Sequence, residues 1–146
     1  MTGVRELHAP EAALAYLTMQ ELRGGRPALA SEAAFAGWVE AQRAAGYRLA
    51  GAFVEGERAA VAVAGFRTFE MLYSGPQLYL DDLSTRARFR GQGHARALLA
   101  WVEGEARRLG CASLHLDSGV QRFPAHRLYL GFGFDITAHH FAKGLE

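Results

Sequence analysis

The chain has 146 residues, 50% hydrophobic and 21% charged, with 16 basic against 15 acidic side chains and one cysteine. That length and balance predict one folded domain, residues 1–146, and exclude a disordered tract; a net charge of +1 gives no bulk attraction to nucleic acid. The lone Cys111 excludes an intrachain disulfide, no apolar run approaches the ~20 residues of a membrane span, and no leader pattern opens the chain, so a cytoplasmic protein without membrane or nucleic-acid partner is expected.

Val4 to His8 alternates and predicts a short first strand. Pro10 and Glu11 suit a helix start, and Leu14, Leu17, Thr18 and Leu22 recur at helical spacing until Gly24-Gly25. Ser31 is the expected N-cap of a second helix with Phe35, Trp38, Val39 and Gln42 on one side, ending near Gly46. The period then shortens to two. Tyr47–Val54 and Ala59–Phe66 are predicted strands of an antiparallel hairpin around Glu55-Gly56-Glu57, and Gln77–Ser84 a further strand after Ser74-Gly75-Pro76. Ala95, Leu98, Val102, Ala106 and Leu109 make the apolar stripe of a helix that Gly110 stops. Strand 112–116, a short helix 123–130 and strand 134–141 complete an α+β order.

The segment Arg88-Phe89-Arg90-Gly91-Gln92-Gly93-His94-Ala95 runs directly into that helix. Glycines at a loop-to-helix junction leave backbone N–H groups without intrahelical partners and without side chains to block an anion. The helix dipole and the arginines add positive charge, so the junction suits a pyrophosphate. One rival is a dinucleotide fold, with Gly91-x-Gly93 as its glycine loop and Asp117 as its ribose acid. Against it stand the polar approach from Ser84 to Arg90 and the late position, which leaves no room for a doubly wound sheet.

The Arg90-x-x-Gly93-x-Ala95 spacing resembles the acyl-CoA signature of the GCN5-related N-acetyltransferases (the GNAT superfamily), and Tyr129-x-x-x-Gly133-Phe134 resembles the family's second signature. The likeness spans nearly the whole chain. It implies a central, mixed, mostly antiparallel sheet flanked by helices, with acetyl-CoA as cosubstrate and no metal. By resemblance Arg90, Gly91, Gln92, Gly93, His94 and Ala95 bind the pyrophosphate. By the same resemblance Leu83, Ser84 and Thr85 pair with the pantetheine arm and Tyr129 protonates the departing sulfur; His126, one helical turn before Tyr129, is expected to line the cofactor site. Gly131 stands where the family usually has a basic residue, so a phosphate contact from that position is not expected.

In the same family the strand before the loop commonly bears an acid facing the acceptor, here Asp81 or Asp82. Strand alternation sends the two to opposite faces unless a bulge intervenes. An acid is useful because an alkyl ammonium with pKa near 10.4 cannot attack; freeing it at pH 7 costs about 4.6 kcal/mol. A carboxylate accepts that proton and attracts the cation. The expected activity is acetyl transfer from acetyl-CoA to a small-molecule or peptide amine by direct attack, with a non-catalytic acyl-CoA-binding module as alternative. The acceptor side, by resemblance residues 9–45 and 132–145, holds no diagnostic motif, and a homodimer is compatible with the family. His139 and His140, neighbours on an expected strand, point apart and do not predict a metal; Cys111 is expected to be buried and inert.

Overall fold

The computed structural model describes residues 3–145. By backbone proximity the chain groups into two compact units, Met1–His115 and Leu116–Glu146. The first holds β1 (Gly3–Leu7), α1 (Tyr16–Arg23), α2 (Glu32–Arg43), β2 (Arg48–Phe53), β3 (Ala62–Met71), β4 (Gly75–Thr85) and α3 (His94–Arg108). Strand β5 (Ser113–Leu116) closes the sheet, whose order is β1-β2-β3-β4-β5.

Strands β1 to β4 pair antiparallel in sequence order. The Ala112 N–H donates to the Pro76 carbonyl at 2.7 Å, so β5 begins beside the beginning of β4 and runs parallel to it, as a helical crossover requires. The sheet is therefore mixed and mostly antiparallel. With only four residues, β5 ends well before β4 does, and the outer edge of β4 beyond it has no strand neighbour among the described residues.

Alternation along β2 divides the core into two layers. Tyr47 and Leu49 join Leu7, Met19, Phe35 and Val39 under the first two helices. Arg48 points the other way, to Glu105 of α3, and there Phe66 meets Trp101 edge-on at 6.1 Å. The α3 stripe is buried at Leu98, Leu99, Val102 and Ala106, whereas Leu109 is exposed. Glu105 is nearly as buried because Arg108 and Arg48 both hydrogen-bond its carboxylate. These bonds, Arg108 first, hold its pKa down at about 2.

Several sequence expectations need correction. The turn after Pro10 is a 3-10 helix, Glu11–Ala15, and the buried face there is Ala12, Ala15, Thr18 and Met19, with Leu17 exposed. Ala59–Val61 lies outside β3 because helix and loop partners take the backbone of Ala60. Its N–H donates to the Leu14 carbonyl at 2.9 Å and its carbonyl accepts from the buried Thr18 hydroxyl at 2.8 Å. Strand β3 instead continues to Met71. The second unit contains α4 (Phe123–Phe132) but no strand over 134–141. Alternation there supplies strand propensity without a ladder partner, and Ile136 and Phe141 are exposed. The Ser31 cap holds: its hydroxyl accepts from the Ala34 N–H at 3.0 Å. No helix among the described residues is long and apolar enough to cross a membrane.

Candidate active site

The loop before α3 is shaped by its backbone. After Thr85 the chain turns through Ala87–Phe89, anchored where the Ala87 N–H donates to Glu21 at 2.9 Å. Phe89 is buried beneath the guanidiniums of Arg86 and Arg88, 5.3 and 4.7 Å from its ring centroid. Both arginines are held by Glu57, at 3.2 and 2.8 Å, so they brace the loop rather than facing a ligand. Gly91 and Gly93 have φ of +75° and +87°, values that disfavour any side chain, and a Cβ on either would project into open space. The N–H groups of Gly91, Gln92, Gly93 and Ala95 have no hydrogen-bond acceptor among the described residues. Arg90 leans back, its Nε donating to the Thr85 carbonyl at 3.0 Å, and is exposed. The His94 side chain turns inward: it is 4% exposed, with its ring edge-on to Phe89. This open row of amides at a helix N-terminus fits a pyrophosphate.

Strand β4 carries the second feature. Leu80 pairs with Phe66 and Asp82 with Gly65, leaving Asp81 as an extra residue opposite none. This bulge resets the alternation, so both aspartates reach the face covered by α1 and α2. Arg67 grips Asp81 with Nε at 3.0 Å and Nη2 at 2.7 Å from the same oxygen. Burial nevertheless lifts the Asp81 pKa, opposed by that guanidinium. Asp82 accepts from the Tyr47 hydroxyl at 2.7 Å and from Arg23 Nε at 3.0 Å. Arg23 also donates to the Asp81 carbonyl at 3.1 Å, tying the end of α1 to the bulge.

Tyr47 and Gly65 were not among the sequence-predicted site residues. The ring of Tyr47 crosses β3 at Gly65, where a Cβ would lie only 1.9 Å from its hydroxyl oxygen. Burial first, then the charge on Asp82, pushes the Tyr47 pKa well above its usual value, so this phenol stays a donor. A glycine inside an otherwise Val/Ala/Phe strand was the available signal, since it marks close approach of a neighbour.

Asp82 and Tyr47 open onto a cavity of about 380 Å³. Its apolar wall comes from Met19, Leu29, Phe35 and Trp38, and Arg23 and Arg26 bring positive charge. Trp38 meets Tyr47 edge-on at 5.2 Å. The resemblance places the acceptor side at residues 9–45 and 132–145 without singling out these groups; Met19, Arg23, Arg26, Leu29, Phe35 and Trp38 fall in the first stretch, whereas Tyr47 and Asp82 lie outside both. Asp81 does not line the cavity.

In the second unit, α4 ends in a left-handed Gly133 with φ of +109°. The Phe134 N–H then returns to the Tyr129 carbonyl at 3.0 Å, and the two rings meet at 5.9 Å. Burial raises the Tyr129 pKa, opposed by Arg122, so the phenol holds its proton. His126 engages the Gly119 carbonyl at 2.8 Å through Nε2. His140 is not on a strand; its Nδ1 lies 3.1 Å from Asp117. Cys111 is free and only part-buried. No group of three metal-ligating side chains occurs among the described residues.

Known proteins resemble this chain in sequence and in fold. The family model described as "Acetyltransferase (GNAT) family" matches residues 12–134. An uncharacterized N-acetyltransferase of Bacillus subtilis, YhdJ, is 37% identical over 73 residues, covering 49% of this chain and 51% of that protein. The aminoalkylphosphonate N-acetyltransferase of Salmonella typhimurium is 36% identical over 66 residues, covering 45% of this chain and 43% of its own. The matched region thus spans about half the length of these curated relatives. An aminoglycoside N-acetyltransferase solved in complex with CoA superposes with a TM-score of 0.82 at 17% identity, covering 99% of this chain and 95% of that one. The fold is shared throughout, and the family match spans most of the sequence: the chain belongs to the GNAT acetyltransferase family.

Proposed function

We propose that residues 1–146 work as a single acetyl-CoA-dependent N-acetyltransferase domain that acetylates an amine held in the cavity beside β4. The observation that supports this best is the pairing of an open amide row with a carboxylate-floored cavity. The first lies at the N-terminus of α3 and the second beside the bulge of the strand leading into it. CoA in the solved complex of the aminoglycoside N-acetyltransferase supports the donor; that enzyme's acceptor lends this chain only the expectation of a small amine.

Bound acetyl-CoA supplies a thioester carbonyl open to attack by an amine. The N–H groups of Gly91, Gln92, Gly93 and Ala95 and the dipole of α3 bind its pyrophosphate, with exposed Arg90 adding charge at the same junction; the expected contact from His94 is withdrawn, because its ring is buried against Phe89. The outer edge of β4 at Leu83, Ser84 and Thr85 offers backbone donors and acceptors to the amide-bearing arm. His126, one helical turn before Tyr129, is assigned to the donor. Asp82 receives the amine proton: it faces the cavity, and two hydrogen bonds fix its carboxylate while leaving lone pairs for an ammonium. Asp81, held by Arg67, adds negative charge beside it. Tyr129 delivers a proton to the departing sulfur, a role suited to a phenol kept protonated by burial. The lone cysteine suits a cytoplasmic setting.

A thiol-release assay with acetyl-CoA across amine classes, with mass identification of products, tests the assignment. Release that requires an amine and yields an acetylated product supports it. CoA binding with no release from any amine would make the chain a binding module.

A further inference from the structure

The cavity's charge does not balance. Its carboxylate, Asp82, is matched by Arg23 at 3.0 Å. Arg26 also lines the cavity, and its guanidinium makes no hydrogen bond or ion pair among the described residues. It is exposed at the start of the turn that follows Gly24-Gly25. An acceptor with only an ammonium therefore enters a pocket that already carries one uncompensated cation.

An acceptor bearing an anion as well as an amine removes that conflict. Its ammonium meets the remaining lone pairs of Asp82, and its anion meets the planar fork of Arg26, which suits carboxylate and phosphate oxygens. The rest of the lining is apolar and aromatic. Phe35 and Trp38 sit one turn apart on α2, and Trp38 is locked against Tyr47 at 5.2 Å. A volume of about 380 Å³ lies in the range of small-molecule sites.

We propose that this cavity selects zwitterionic small amines, those that carry a carboxylate or phosphate group on a compact, partly apolar body, and that Arg26 is the residue that reads the anion. The proposal rests on the acetyltransferase reading for the role of Asp82, but the preference for an anion stands on the cavity alone.

The test separates the two. Trp38 fluorescence in a Trp101→Phe background reports binding, with and without CoA, and thiol release is followed in the same samples. The matched pairs are L-phenylalanine against phenethylamine and O-phosphoethanolamine against ethanolamine, with spermidine as a polycation. The expected result is at least tenfold tighter binding of the anion-bearing member of one or both pairs, the stronger pair identifying carboxylate or phosphate as the anion. Arg26→Gln, at an exposed position, should cut that preference below threefold, by raising KM rather than lowering kcat where turnover occurs. Equal or tighter binding of the anion-free amines or spermidine, no binding of any amine, or a preference untouched by R26Q would overturn the proposal. Selective binding without thiol release would leave it standing and overturn the acetyltransferase assignment. Release from all amines alike would do the reverse.

Discussion

In the proposed acetyl transfer the loop before α3 serves the donor and the cavity beside β4 the acceptor, and the two are built by different means. The loop uses backbone: four amides, two glycines at positive φ, and arginines that are spent bracing Phe89 against Glu57. The cavity uses side chains brought from four separate elements, with Arg23 of α1, Trp38 of α2, Tyr47 before β2 and Asp82 of β4 meeting across long stretches of sequence. A backbone site tolerates little change of local sequence and works for any acceptor. A side-chain site can be re-specified one residue at a time.

The largest expected break in that comparison is Asp82→Asn. It should lower kcat/KM about 10²–10³-fold at pH 7, measured by thiol release, because it removes the proton acceptor. CoA affinity should move less than twofold, since the loop is untouched. Gly65→Ala should come next and act on folding. The added methyl would lie 1.9 Å from the Tyr47 hydroxyl oxygen, so a loss of about 3 kcal/mol is expected from denaturant melts. Gly93→Ala should work the other way from Asp82→Asn. Strain at φ +87° and a displaced amide should weaken CoA about tenfold by titration calorimetry, with acceptor binding unchanged.

The smallest effect belongs to neither site. Glu105 is held at about 2, below its ordinary 4.5, by Arg108 and Arg48 on the opposite face of the sheet. A lowered carboxylate contributes stability that is full above its unfolded pKa and lost as pH falls through the folded one. Glu105→Gln should therefore cost about 1 kcal/mol at pH 7, allowing for the exposure of Arg108, and the gap to the wild type should close between about pH 4.5 and pH 2. Melts across that window check it.

The same contrast explains what could be read in the sequence. Glycine spacing at 91 and 93, the Ser31 cap and the stop at Gly110 are local backbone requirements, and each left its mark in a few adjacent letters. The acid strand was legible, but its geometry was not. Whether Asp81 and Asp82 share a face depends on a bulge opposite Gly65, set by packing with Tyr47 and β3. Arg23, Arg26 and Tyr47 belong to segments that the chain brings together only when folded, so no local pattern announces them. The strand expected at 134–141 failed for a related reason: alternation describes a face, whereas a ladder needs a neighbour.

The most direct test of the account is the pH dependence of kcat/KM for wild type and Asp82→Asn with one identified alkylamine acceptor. If Asp82 takes the ammonium proton, the deficit of the variant should be greatest near pH 7. It should shrink at least tenfold by about pH 10, where roughly a quarter of the amine is neutral in solution, against less than about a thousandth at pH 7. A deficit that stays constant across that range, or no deficit at pH 7, would contradict it.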